Sequence, residues 1–145
     1  MRLLERLSEN AALVSRLAAG PSDAPIGVIC MYSAQKVKIE QAFSSRPWEA
    51  RFRRLVRIET VDSYQGKENT IVIVSLVRCN NGRDQGHVRF PNRCNVALSR
   101  AKERLFIVGA RSMWDNVAER FPMRRVLTEL DAQPARAITI AAGEL

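Results

Sequence analysis

Three stretches of this 145-residue chain carry side chains whose types and spacing suit chemistry on a nucleotide or a nucleic acid. The first is MYSAQK (31–36), which follows a short apolar run. A tyrosine ring and an amide at the carboxyl end of a strand can flank a flat base, Tyr32 by stacking and Gln35 by hydrogen bonding. Lys36 can offer a phosphate a point charge. The plainer alternative is that Tyr32 caps the core and Lys36 is a solvated helix residue.

The second stretch is TVDSYQGKENTIVIVSLVR (60–78), in which a turn holds Gly66, Lys67 and Glu68. Glycine lets the backbone come close to a ligand, and the Glu68 carboxylate can accept hydrogen bonds from ribose hydroxyls. Asp62, Ser63 and Gln65 add polar groups where a nucleic-acid backbone can pass. Gly66-Lys67 is no phosphate loop, because that pattern needs glycine at 61 and Ser or Thr at 68, where Val61 and Glu68 stand. A merely polar strand-to-strand turn is the alternative.

The third stretch is NRCNVALSRAKERLFIVG (92–109). Read as a helix over 91–101, it places Cys94, Ala97, Leu98 and Ala101 on a buried stripe. Arg93 and Arg100, seven residues apart, then share another face at a separation of about 10–11 Å. Guanidinium forks at that spacing can reach different parts of one phosphate chain, and arginine suits a transferring phosphoryl group because its charge and geometry match the oxyanions. Two solvated arginines on a surface helix are the alternative.

The elements that must position these groups follow from the apolar pattern. Leu3, Leu4, Leu7, Ala11, Val14 and Leu17 recur at three- and four-residue spacing and predict one helix over 2–19, stopped by Gly20-Pro21. IGVICM (26–31) and LVRIETV (55–61) read as strands, and 34–43 as a helix between them. TIVIVSLV (70–77) is the clearest strand, its near-continuous β-branched run suiting burial on both faces of a parallel sheet. RLFIVG (104–109) reads as another buried strand, 80–86 as a polar loop, and 112–120 and 123–131 as helices before a poorly specified tail at 132–145. Strands alternating with helices predict an α/β fold with a mostly parallel sheet. In such sheets ligands sit outside the carboxyl ends of the strands.

The stretch 44–53 reads as a loop with a basic rim. Five arginines (Arg46, Arg51, Arg53, Arg54 and Arg57) have Trp48 and Phe52 interleaved among them. They can track a phosphate backbone with the aromatics as stacking platforms. Equally, the aromatics anchor the loop to the core and the arginines form a solvated rim.

Composition narrows the field. Lys and Arg number 23 against 15 Asp and Glu, a formal charge of +8, which favours a polyanionic partner. Hydrophobic residues at 46% and charged residues at 26% fit one ordinary globular domain, and no apolar run is long enough to span a membrane. Three scattered cysteines (Cys30, Cys79, Cys94) and one histidine exclude a disulfide framework and a Cys/His zinc site on ligand count. They fit a reducing compartment; with no signal peptide evident, a cytoplasmic location is expected. No acidic cluster with a lysine at metal-site spacing points to a nuclease.

Taken together, the three stretches resemble the motifs of superfamily 1 DNA/RNA helicases, in the branch that includes the nonsense-mediated-decay helicase. There the second motor domain carries motif IV (a strand, then PYxxQ), motif V (VDxFQGxExD, an apolar strand, SxVR) and motif VI (RRxNVALTRA, then a strand). Here they stand in the same order as MYSAQ (31–35), VDSYQGKENTIVIVSLVR (61–78) and NRCNVALSRA (92–101), a likeness covering 26–110. The resemblance implies a RecA-like α/β domain of the P-loop NTPase type, spanning 1–145 as a second, C-terminal motor domain without its own Walker A. It also implies roles by position. Tyr32, Gln35 and Lys36 would lie by the nucleotide, and Gly66 and Glu68 by the γ-phosphate region and ribose. Arg100 would be the arginine finger, supported by Arg93 and Asn95. Asp62 and Ser63 would face the nucleic acid, to which the basic rim with Arg51 and Arg53 is also assigned.

Several positions depart from the pattern. Met31 replaces proline, Tyr64 phenylalanine, Thr70 aspartate and Asn92 the first arginine of motif VI. Lys36 stands where relatives often have a second phosphate-binding arginine, giving charge without the fork. No Walker A loop occurs in the sequence, nor an apolar strand ending in the paired acidic residues of a Walker B. The resemblance therefore implies that ATP and Mg²⁺ are held mainly by a first motor domain ahead of this region, that single-stranded DNA or RNA crosses both, and that this chain alone does not hydrolyse ATP. A non-enzymatic nucleic-acid-binding module derived from a helicase is the alternative; it would have no need of Arg100.

Overall fold

A run such as Thr70 to Val74 has no polar face to turn toward water, so it needs cover on both sides. The computed structural model describes residues 1–80, 84–141, 143 and 144, and provides that cover. Strands β1 (Ile26–Cys30), β2 (Val56–Thr60), β3 (Asn69–Ser75) and β4 (Ala101–Val108) form one sheet in the order β2-β1-β3-β4, each neighbouring pair parallel. Helices α1 (Arg2–Glu9), α2 (Ala11–Ala19), α3 (Ser33–Ser44) and α4 (Ala50–Leu55) bury Leu4, Val14, Leu17, Phe43, Phe52 and Leu55 on one face. Helices α5 (Pro91–Leu98), α6 (Arg111–Asp115) and α7 (Pro122–Ala132) bury Cys94, Ala97, Met113, Trp114 and Met123 on the other. Strand alternation divides β3 between them: Ile71 and Ile73 join the first core, Val72 and Val74 the second. The architecture is α/β and RecA-like.

The register makes the two edges of the sheet distinct places. Cys30 pairs with both Thr60 and Ser75, and Ser75 with Val108, so the carboxyl ends lie level. At the amino edge Asn69 pairs with Ala101, with a register shift before Ile71. The crossover from β2 to β3 (61–68) passes over β1 at Gly27, where any Cβ would overlap the Tyr64 hydroxyl. Tyr64 is fully buried, donates from that hydroxyl to Asn69 Oδ1, and Asn69 Nδ2 donates to the Ala24 carbonyl. Burial pushes the Tyr64 phenol up to about 12.

Five expectations need correction. The helix over 2–19 is two helices, broken at Asn10 (φ −84°, ψ 87°), whose side chain accepts from the Leu13 N–H at 3.0 Å and so caps α2. The loop expected over 44–53 ends in α4, because Phe52 and Leu55, three residues apart, both find the first core. The helix over 91–101 stops at Leu98, since the chain must turn to pair Ala101 with Asn69. Strand β4 lies at the sheet's edge and is not buried: Leu105 and Val108 are 37% and 42% exposed. Helix α6 is one short turn, Arg111–Asp115, covering only the start of the expected 112–120. Beyond Ala132 no regular element follows among the described residues, and part of the expected 80–86 loop (81–83) lies outside them.

Candidate nucleotide and nucleic-acid site

The carboxyl end of β1 leads into Tyr32, Gln35 and Lys36, and each already has partners in the fold. Gln35 is buried; its Oε1 accepts from the Met31 N–H and its Nε2 donates to the Ser75 carbonyl, both at 2.9 Å. The amide thus ties the ends of β1 and β3 together. The Tyr32 hydroxyl accepts from Arg78 Nε at 3.2 Å and from the His87 N–H at 3.0 Å, and the His87 ring lies 4.3 Å from the tyrosine ring. Lys36 Nζ sits 3.1 Å from Glu59 and 3.6 Å from Glu40. The hydrogen bond to Glu59 holds its ammonium above the usual lysine range.

The crossover and α5 bring together more of the expected residues. Arg93 donates from Nε and Nη2 to the two Asp62 oxygens at 3.0 and 3.1 Å, a bidentate pair. Ser63 is fixed beside it by Thr60, whose hydroxyl donates to Ser63 Oγ at 3.0 Å. Between the crossover and α5 opens a groove of about 380 Å³, lined by apolar Val61 and Val96 and by Asp62, Gln65, Asn92, Arg93 and Asn95. Gly66 has φ +78°, with nothing within 4 Å of a would-be Cβ, so its backbone conformation and not crowding calls for glycine there.

Arg100 does not share a helical face with Arg93. α5 carries Arg93 in its first turn beside the carboxyl edge, whereas Arg100 follows the helix and immediately precedes β4 at the amino edge. There the Asn69 N–H donates to the Arg100 carbonyl at 3.1 Å, and Glu68 Oε2 lies 3.7 Å from Lys102 Nζ. Glu68 and Arg100 are therefore neighbours, whereas Tyr32, Gln35 and Lys36, expected by the same nucleotide, follow the opposite, carboxyl end of β1 and are not gathered with them. The Arg100 guanidinium donates to Ser99 Oγ from Nε at 3.3 Å and Nη2 at 2.9 Å, its only side-chain partner among the described residues.

Arg51 and Arg53 lie elsewhere, on α4. Arg51 reaches Ser15 of α2 at 3.4 Å and Arg53 the Arg46 carbonyl at 3.1 Å. Trp48 stacks on Phe43 at 5.1 Å and donates to its carbonyl at 2.6 Å, while Phe52 is 1% exposed. The aromatics anchor this segment against the core. Asp62 and Ser63 at the carboxyl edge are thus not gathered with Arg51 and Arg53.

Ser99, Arg78, His87 and Lys102 were not singled out by spacing. His87 and Arg78 meet Tyr32 from 55 and 46 residues away. The nearness of Lys102 to Glu68 depends on the β3–β4 register. Ser99 and Arg78 had a sequence signal, Ser99 beside Arg100 and Arg78 as the last residue of the quoted motif V.

A family model described as an AAA domain matches residues 3–112. A regulator of nonsense transcripts 1 homolog of Drosophila melanogaster is 33% identical over 120 residues, 78% of this chain and 10% of that protein. The helicase required for RNAi-mediated heterochromatin assembly 1 of Schizosaccharomyces pombe is 40% identical over 101 residues, 68% of this chain and 10% of that protein. The 5'-3' DNA helicase ZGRF1 of Mus musculus is 38% identical over 98 residues, 68% of this chain and 5% of that protein. The chain thus spans about a tenth or less of the length of these curated relatives. The motif order, the parallel sheet and these likenesses together make the chain a helicase-related domain, and it belongs to superfamily 1 in the branch of the regulators of nonsense transcripts.

Proposed function

We propose that the chain is the second motor domain of an ATP-dependent DNA or RNA helicase, supplying an arginine finger and part of a single-stranded nucleic-acid track. The observation that carries this reading is the division between the two sheet edges. Glu68 and Arg100 come together at the amino edge, linked through the Asn69 N–H and the Arg100 carbonyl. Asp62 and Ser63 project at the opposite, carboxyl edge. A domain that touches nucleotide with one edge and nucleic acid with the other can couple the two through the crossover and α5, which both run between the edges.

Arg100 suits the finger role chemically. Its guanidinium is held by one neutral hydroxyl and no carboxylate among the described residues, so its charge is not spent on an ion pair. Brought against a γ-phosphate, it can donate two hydrogen bonds to the equatorial oxygens and stabilise their developing charge. Glu68, exposed beside it, can accept from ribose hydroxyls. No group of three His, Cys, Asp or Glu side chains gathers to hold a metal ion among the described residues. This reading therefore assigns the ligands of a magnesium ion, with the phosphate cradle, to a first motor domain.

The test is Arg100→Ala in a protein where this domain follows a motor domain bearing Walker A and B. Turnover should fall about 10³- to 10⁵-fold, with ATP affinity and thermal stability little changed, because among the described residues the arginine's only side-chain partner is its neighbour Ser99. The chain alone should show no nucleic-acid-stimulated ATPase. Near-normal turnover in the variant would refute the finger and leave a nucleic-acid-binding module.

A further inference from the structure

Arg93 is one of several residues on which the two edges disagree with the motif reading: Tyr32, Gln35, Lys36 and Asn95, also expected by the nucleotide, lie toward the carboxyl edge with it. By position in the motif Arg93 would support Arg100 at the nucleotide, yet the fold puts it at the carboxyl edge, in the groove with Asp62. We propose that this groove binds a backbone phosphate of single-stranded nucleic acid through the Arg93 fork, and that Asp62 is the internal anion the phosphate displaces. The proposal rests on the nucleic-acid half of the reading above and assigns Arg93 to that half.

Three features of the groove point to such an occupant. The amides of Gln65, Asn92 and Asn95 line it, are exposed, and make no side-chain hydrogen bond within the described residues. They are solvent-facing donors and acceptors set around a single guanidinium. The groove is about 380 Å³ and opens to solvent at the surface, so an extended chain can reach it from outside. Finally, Arg93 stands in the first turn of α5, where the positive end of the helix adds to the attraction for an anion.

The partner is a polymer and not a free nucleotide because of distance. Glu68 and Arg100, the groups suited to ribose and γ-phosphate, lie at the other edge, and the seven residues of β3 separate the edges by about 20 Å. Exchange of Asp62 for phosphate is easy: the Asp62 side chain is 63% exposed, so its ion pair is well screened, and a phosphate offers the fork the same two-oxygen geometry.

An ion pair that competes with the ligand has an unusual signature: its two halves act with opposite sign. Binding of a fluorescent oligothymidylate to the chain is followed by anisotropy across a salt series. Arg93→Gln should weaken binding about three- to tenfold and lower the salt slope by about one. Asp62→Asn should tighten binding about threefold by removing the competing charge. Arg93→Lys, keeping charge without the fork, should fall between. Should Arg93→Gln fold poorly, the isosteric Asp62→Asn decides by its sign. Equal weakening by both variants would make the pair a structural tie and overturn the proposal. So would binding indifferent to Arg93, or oligonucleotide displaced from the wild type by ATP but not from Arg93→Gln. A wild-type chain that binds no oligonucleotide at low salt would overturn the nucleic-acid reading itself.

Discussion

Gly27 and Tyr64 show how one missing side chain organises the route between the two edges. The crossover can lie on β1 only because Gly27 leaves room for the Tyr64 ring, and the ring is held there by its hydroxyl on Asn69 and by Asn69 on Ala24. Gly27→Ala should cost about 1–3 kcal/mol by overpacking. Tyr64→Phe should cost about 1–3 kcal/mol, because it leaves the buried Asn69 Oδ1 without its donor. Together they should cost less than the sum by about 1 kcal/mol, since the phenylalanine lacks the atom that the new methyl meets first. Urea denaturation of the three variants measures the cycle. Strict additivity would mean that the new methyl does not meet the Tyr64 hydroxyl, and the crossover would then not be fixed at this point.

Elements were legible where apolar pattern alone decides, and misread where a single polar residue or a long-range pairing decides. The run at 70–77 announced β3, and the apolar pattern put Tyr32 and Asp62 just after strand ends, where the structure has them. Helical periodicity runs smoothly through Asn10, so nothing in the apolar pattern marked the break; the cap formed because that side chain reaches the Leu13 N–H. The end of α5 was hidden for a different reason. Val96 to Ala101 is good helix sequence, and only the pairing of Ala101 with Asn69, thirty-two residues earlier, pulls Ser99 and Arg100 out of the helix. That one misplacement wrongly put Arg93 and Arg100 on one face. The break at Asn10 gives a signed test. In a continuous helix Asn10→Ala would stabilise, alanine being the better helix former. As the cap of α2 it should instead destabilise by about 0.5–2 kcal/mol. Thermal or urea unfolding reads the sign directly.

At the scale of the whole molecule, a four-stranded parallel sheet with two helical layers has two interior strands and two open edges. β1 is buried at every residue and β3 over Ile71 to Val74, and both have partners on either side. β4 has only β3 beside it, and Lys102, Glu103 and Arg104 are exposed along it. Charged side chains on an edge strand discourage edge-to-edge pairing with other chains. They do nothing to protect outward N–H groups from water. Hydrogen exchange should therefore divide the sheet. The amides of Ile26–Cys30 and Ile71 to Val74 should exchange only through global unfolding, with protection that falls in step with denaturant. The outward-facing amides of β4 should exchange faster through local opening that is insensitive to low denaturant. Protection of β4 equal to that of β1, rising with protein concentration, would show that its edge is covered by a second chain. It would place a protein interface beside Arg100 and compete directly with the approach of any nucleotide-bearing domain to the amino edge.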